Sequence, residues 1–225
     1  MIINQKVSLM KQYLLTTILF ASWGITSTQA NTLENNFLQT FAKCDESLFE
    51  FIQNNQKPLQ KYAQIKSKGN LGQFTLRAVD SETSTVTFRE SMDIKGVKVY
   101  GMETSHAELD FDEDTKNVLK VYFWQLDLGK QNVSEIAKKW SHLNFKAVTD
   151  TDLVGLSQII PDTQKSLKWQ PHTTILMGVA PVINSVEKVL VLTQEDGHTQ
   201  LMCTVQGYIP QNLINSMKLN LLENN

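Results

Sequence analysis

Val118–Leu128, with the sequence VLKVYFWQLDL, is the stretch of this chain that most strongly favours a β-strand. Successive side chains of a strand point to opposite faces, so Val121 and Phe123 share one face while Tyr122 and Trp124 share the other. β-Branched and aromatic residues of this kind are enriched in strands. Because both faces carry apolar side chains, the pattern predicts a strand that is covered on both sides or that lines a groove.

The segments before this strand alternate in the same way. Tyr62–Lys68 and Gln73–Val79 flank Gly69-Asn70, a pair typical of a tight turn, and predict a hairpin. The pair Lys95-Gly96 is a second candidate turn. Further strands are predicted around it at Thr83–Glu90, Val97–Met102 and Ala107–Phe111.

The C-terminal half contains another hairpin. Val186–Thr193 and Thr199–Gln206 flank a turn that contains Asp196-Gly197, a preferred pair for tight hairpins. Leu153–Ile160 is apolar and fits either a strand or a helix. Thr173–Val179 is predicted to be extended.

Helical periodicity appears at three places. Asn31–Asn54 repeats apolar residues at three- and four-residue steps, and Asn31 with Glu34 resembles an N-terminal capping box. Asn132–Leu143 repeats the pattern with Asn132 as its cap, and Pro210 opens a short C-terminal helix. Because short turns join successive strands, we expect an α+β fold. In it, an N-terminal helix packs on a mainly antiparallel sheet of about eight strands, with a short middle helix and a C-terminal helix.

Met1–Ala30 has the features of an export signal. Lys6 and Lys11 form a basic head, Tyr13–Ala21 is apolar, and Thr28-Gln29-Ala30 is a small-x-Ala cleavage site. The apolar run is shorter than the roughly 20 residues that span a bilayer, although an anchor or a buried first helix is the alternative. We therefore expect a removed signal at 1–30 and one domain at 31–225, with a split near residues 129–132 as the alternative. The expected location is the periplasm of a Gram-negative bacterium, or secretion, with no membrane span in the mature chain.

Charge restricts the partners of the mature chain. The 225-residue sequence has 21 basic and 23 acidic residues, and removal of Lys6 and Lys11 with the signal leaves 19 against 23, a formal charge of −4. Nucleic-acid and anionic-membrane binding both need a basic surface, so neither is expected. An acidic surface instead suits a basic protein partner.

Two cysteines, Cys44 and Cys203, remain after the signal. In an oxidising compartment an even pair predicts a disulfide, which would join the first helix to the last hairpin. The alternatives are a catalytic thiol or metal ligands. Neither cysteine lies in a C-x-x-C motif or beside a histidine, which disfavours both alternatives.

Candidate partner-binding residues lie around the strand at 118–128. The alternating carboxylates of Asp110, Asp112 and Asp114 resemble a calcium loop. The glycine and glutamate that such a loop requires are missing, so a solvated turn is the simpler interpretation. The aromatic residues suit a binding surface, with core packing as the alternative. The candidate contacts are Glu108, Asp110, Asp112, Glu113, Asp114, Tyr122 and Trp124.

Catalytic motifs are weak. Gly155–Ile159 resembles a serine-hydrolase G-x-S-x-G around Ser157 but lacks the second glycine. His106 stands between Glu103 and Glu108 and could be a general base or a salt-bridged surface histidine. The four histidines show no metal-ligand spacing, and no glycine-rich phosphate loop occurs, so we expect no metal and no cofactor.

Three functions are compatible with these features. The first is a non-enzymatic periplasmic binder of a protein, such as an immunity protein, an inhibitor or a chaperone. The second is a carrier with a pocket for a small apolar ligand against residues 118–128. The third is a hydrolase with catalytic residues scattered in sequence. An apolar pocket would favour the carrier, an exposed aromatic patch the binder, and a histidine–carboxylate pair with a serine in a cleft the enzyme.

Overall fold

The described part of the chain begins with three helices where the sequence predicts one. The computed structural model describes residues 26–80, 83–110, 118–173 and 180–222. Helix α1 is Thr26–Phe41, α2 is Ser47–Asn54 and α3 is Gln56–Leu59. The prediction of one helix over 31–54 is wrong, and so is the cap at Asn31, because α1 starts at Thr26.

The break between α1 and α2 lies at Cys44. This residue has a φ of 52°, which a right-handed helix cannot accommodate. Asp45 Oδ1 then accepts hydrogen bonds from Ser47 N at 3.0 Å and Ser47 Oγ at 2.5 Å, which stabilises the start of α2. Leu48 and Ile52 of α2 still bury on the same core as α1. The spacing of apolar residues therefore continues from α1 into α2, so the sequence pattern does not show where the helix breaks.

Most of the strands form one antiparallel sheet. The strands are β1 Ile65–Lys68, β2 Leu71–Phe74, β3 Arg77–Ala78, β4 Thr83–Ile94, β5 Val97–Asp110, β6 Val118–Asp127, β7 Lys146–Ala147, β8 Asp152–Ile160, β9 Gln170–Pro171, β10 Val186–Glu195 and β11 His198–Gly207. The order in the large sheet is β3-β4-β5-β6-β11-β10-β8-β7, and β9 pairs with β8. Strands β1 and β2 form a separate hairpin. The predicted α+β class with a mainly antiparallel sheet is confirmed.

The predicted turns are largely confirmed. Lys95 and Gly96 have φ values of 54° and 76°, and Asp196 and Gly197 have values of 49° and 75°. Positive φ at both central residues is typical of the tight hairpins that match strand twist. The two strands predicted within 97–111 are one long strand, β5, and the ambiguous segment at 153–160 is a strand.

The remaining helices are short. Helix α4 is Val133–Lys139, followed by a 3₁₀ turn at Ser141–Leu143, and α5 is Gln211–Met217, followed by a 3₁₀ turn at Leu219–Leu221. Asn132 Oδ1 accepts a hydrogen bond from Glu135 N at 3.1 Å, which confirms the predicted cap of α4. Trp140 Nε1 donates to Ile94 O at 3.1 Å and attaches this helical segment to β4.

The helices cover one face of the sheet, which we call the core face. On β6 this face carries Tyr122, Trp124 and Leu126, all buried, and the Trp124 ring lies 6.4 Å from the ring of Phe49 in α2. The alternate residues of β6 point to the opposite side, which we call the outer face. The apolar core cluster contains residues from α1 through to the C-terminal 3₁₀ turn.

The predicted disulfide is present. Cys44 and Cys203 are bonded, with their Cα atoms 5.3 Å apart and 159 residues between them in sequence. Both residues are buried, since Cys203 points to the core face of β11 and Cys44 meets it from the break after α1. The bond therefore attaches the N-terminal helices to a central strand of the sheet.

The predicted signal lies outside the described residues, except for Thr26–Ala30, which form the beginning of α1. Within the part of the chain that the structure describes, none of the helices has the length and apolar character needed to cross a bilayer.

Candidate functional site

Five neighbouring strands end or begin together at one end of the sheet. Their registers align Glu108 of β5, Lys120 of β6, Gly207 of β11, Val186 of β10 and Ile160 of β8 in one row. We call this the Val186 end. The tight turn at residues 196–197 lies at the opposite end, about 30 Å away at the usual rise of a strand.

Two of the predicted acidic contacts lie at the Val186 end. Glu108 is exposed, and its Oε1 is 2.6 Å from Lys120 Nζ. Asp110 is the last residue of β5. Asp112, Glu113 and Asp114 lie outside the described residues.

The two predicted aromatic contacts lie elsewhere. Tyr122 and Trp124 are 1% and 0% exposed, so neither side chain can touch a partner at the surface of this fold. Both point to the core face, where α2 covers β6. The core interpretation of these aromatics is the correct one.

A pair of aliphatic residues stands out at the Val186 end, just before β10. Val182 is 76% exposed and Ile183 is 54% exposed. Among the described residues, the other five exposed large apolar side chains are isolated in sequence: Val79, Tyr100, Leu109, Val148 and Leu167. Scattered exposed apolar residues are ordinary, whereas adjacent ones mark contact sites more often. The sequence analysis missed this pair, and its signal was two aliphatics beside Pro181 in a segment between strands.

Hydrogen bonds fix the turn that carries this pair, which we call the apolar turn (residues 182–185). Ser185 donates to Val182 O from its N at 2.8 Å and from its Oγ at 2.6 Å. Thr163 N donates to Asn184 O at 2.8 Å, and Tyr208 N donates to Ser185 O at 3.0 Å. The polar base of the turn is thus anchored to the β8–β9 loop and to the end of β11, while its two aliphatic side chains face solvent.

A small, polar cavity touches β6. It measures about 110 Å³ and lies on the outer face, where Glu103, Gln125, Asp127 and His198 line it. Gln125 Nε2 donates to Glu103 Oε1 at 2.7 Å, and His198 Nε2 lies 3.1 Å from Asp127 Oδ1. Burial raises the pKa of the Glu103 carboxyl, and the hydrogen bond from Gln125 partly offsets this rise. Nearby negative charges, including that of Asp127, add to the rise. This lining does not suit an apolar ligand.

His106 does not form the acid–base pair that the sequence suggested. Its ring stacks on Tyr122 at 6.3 Å, and its Nδ1 is buried without a hydrogen-bond partner among the described residues. Glu103 binds Gln125 and Glu108 binds Lys120 instead. Residues three positions apart in a strand point to opposite faces of the sheet, so His106 and Glu103 lie on opposite sides.

A different histidine lies near Ser157. His172 N donates to Ser157 O at 3.0 Å, and His172 Nδ1 lies 3.8 Å from Glu187 Oε1. Glu187 Oε2 accepts a hydrogen bond from Gln206 Nε2 at 3.3 Å. Ser157 Oγ is buried and makes no hydrogen bond to the imidazole.

The residue types of a hydrolytic triad, serine, histidine and a carboxylate, therefore lie close together here. No hydrogen bond joins the serine hydroxyl to the imidazole. A serine nucleophile needs a hydrogen-bonded base and an exposed oxygen, often at a sharp turn. Ser157 instead lies within the extended strand β8, with its Oγ covered. The arrangement can bind a ligand through hydrogen bonds, and it does not activate the serine.

A buried lysine lies on β10. Lys188 is 6% exposed, and its Nζ lies 4.8 Å from the centre of the Trp169 ring. Burial lowers the pKa of the Lys188 amine, while the charges of Asp45 and Glu46 oppose that effect. Its charged form is therefore costly in the folded state.

No cluster of three or more histidine, cysteine or acidic residues suited to a metal occurs among the described residues. Comparison of the chain with protein-family models, with curated proteins and with solved structures finds no match.

Proposed function

We propose that this chain is exported to the periplasm and acts there as a non-enzymatic protein-binding module, which docks its partner at the Val186 end. The observation that carries the proposal is the apolar turn. Val182 and Ile183 expose adjacent aliphatic side chains on a backbone that is already fixed by hydrogen bonds. A preordered apolar contact loses little conformational freedom on binding, which favours affinity.

Charge supports the choice of partner. The net charge of −4 expected for the mature chain suits a basic surface, and Glu108 is exposed at the same end of the sheet as the apolar turn. We therefore expect the partner to present an apolar depression beside basic residues, since complementary charge speeds association and selects partners.

The buried disulfide and the N-terminal segment support export. A disulfide between Cys44 and Cys203 persists in an oxidising compartment, and the first 30 residues have the layout of a signal. Mass spectrometry of protein recovered from the periplasm should show a mature chain that begins at Asn31. A retained N-terminus on membrane-bound protein would contradict export.

Site-specific crosslinking tests the docking site. A photoreactive p-benzoylphenylalanine at position 182 should give a discrete adduct in the producing cells, whereas the same residue at position 195, at the opposite end of the sheet, should give none. The partner identified in the adduct is then purified and titrated. Val182→Asp with Ile183→Asp should weaken binding at least tenfold, because the charges oppose burial in an apolar depression.

Val79→Asp is the matched control, because Val79 is another strongly exposed aliphatic residue outside the apolar turn. It should leave the affinity unchanged. Equal loss in the control, or adducts at 195 and not at 182, would refute docking at the Val186 end.

A further inference from the structure

A cleft opens at the edge of the sheet along β8. Strand β7 pairs with Leu153 and Val154, and β9 pairs with Gln158 and Ile159. Between these two short strands, residues 155–156 have no strand beside them on that edge within the described chain. The cleft has a volume of about 420 Å³, which lies within the range of small-ligand sites.

The lining combines an apolar wall with one positive charge. Leu156 and Pro171 supply apolar surface. Lys146 is the charged residue of the lining, and it makes no ion pair with a described residue. Hydrogen-bonding groups complete the lining, and none of its described residues carries a carboxylate. Such a lining favours a ligand with an apolar body and a negative charge.

An unsatisfied hydroxyl lies beside the cleft. Ser157 is one of the lining residues, and its buried Oγ has no hydrogen-bond partner among the residues that the structure describes. A buried polar atom without a partner is unfavourable, so a bound group that pairs with it would be stabilised. His172 also lines the cleft, and because its Nδ1 faces Glu187, its Nε2 is the nitrogen left for a ligand.

From this geometry we propose that the β8-edge cleft binds a small aliphatic carboxylate. The alkyl chain lies against Leu156 and Pro171. The carboxylate is held by the Lys146 ammonium and by hydrogen bonds from Ser157 and His172. This site goes beyond the proposed protein docking, since it uses other residues on the edge of the sheet, and either proposal can fail while the other stands.

Octanoate, below its micelle concentration, is the probe. Titration of the full mature chain, followed by amide chemical shifts, should show saturable binding with shifts concentrated at residues 144–146, 154–158 and 171–173. Lys146→Met should weaken octanoate binding at least tenfold, because it keeps most of the length of the side chain and removes its charge. Ser157→Ala should weaken it about threefold or more. An unchanged spectrum outside the cleft shows that each variant is folded.

Three controls can overturn the proposal. Lys130→Met removes an exposed lysine outside the cleft and should leave the affinity unchanged. Equal weakening of octanoate binding in this variant would show that the loss comes from net charge alone, and it would refute the site. Octylamine and octanol share the alkyl body without the carboxylate, and binding as tight as that of octanoate would refute the carboxylate role. Absence of saturable shifts at the cleft would refute binding altogether.

Discussion

Replacing Cys44 and Cys203 together with alanine tests how much the disulfide stabilises the fold. The bond closes a loop of 159 residues. In the chain-entropy model, a loop of this length restricts the unfolded state by about 5 kcal/mol at 25 °C, and strain or residual unfolded structure reduces that value. We therefore expect the variant to lose about 2–5 kcal/mol of unfolding free energy. Alanine avoids burying a foreign hydroxyl at two fully buried positions.

Urea denaturation monitored by tryptophan fluorescence is a suitable assay, since Trp124 lies directly opposite Cys203 in the sheet. With an m value of roughly 2–3 kcal/mol/M, the midpoint should fall by about 1–2 M. Reduced wild-type protein should unfold near the same midpoint as the double variant. A change below about 0.5 kcal/mol, or reduced protein as stable as oxidised protein, would refute the argument that the bond acts by restricting the unfolded chain.

The remaining predictions concern a buried charge, a helix cap and the serine of the cleft. Because burial lowers the pKa of folded Lys188, the unfolded chain binds more protons as the pH approaches the ordinary lysine value, so the stability of the wild type should rise from pH 7 towards pH 10. Lys188→Met should be more stable than wild type at pH 7, with a gap that narrows as the pH rises; a constant gap in pH-dependent urea melts would contradict this. Asn132→Ala should cost about 1 kcal/mol by loss of the α4 cap, whereas Asn132→Ser should retain most of it. A fluorophosphonate probe should leave Ser157 unlabelled, since no base is hydrogen-bonded to its Oγ; stoichiometric labelling that Ser157→Ala abolishes would restore the hydrolase hypothesis.

The sequence predicted only part of the candidate sites. Ser157 was identified, but as the centre of a damaged hydrolase motif and not as a neighbour of His172, which follows it by 15 positions and pairs with it only across the β8 edge. Glu108 was named as a candidate contact, and the exposed pair at 182–183, at the same end of the sheet, was missed. Exposure depends on what surrounds a residue in space, and local sequence does not contain that information.

Local chemistry determined the elements of this protein. The alternation of apolar and polar residues predicted β6, β10 and β11, because successive side chains of a strand point to opposite faces. The Lys95-Gly96 and Asp196-Gly197 turns and the Asn132 cap depend on a few adjacent residues, so the sequence predicted them at the correct positions. Two cysteines on apolar stripes were also sufficient to predict the disulfide.

The tertiary structure alone decided how these elements meet. The break at Cys44 arises where the chain turns to reach Cys203, and a helical period that continues into α2 conceals it. The placement of β6 beside β11, the burial of Trp124 and the gap in the β8 edge between β7 and β9 all depend on contacts between residues far apart in sequence. Periodicity specifies which face of an element is apolar, but the partner that covers this face is chosen by packing of the whole chain.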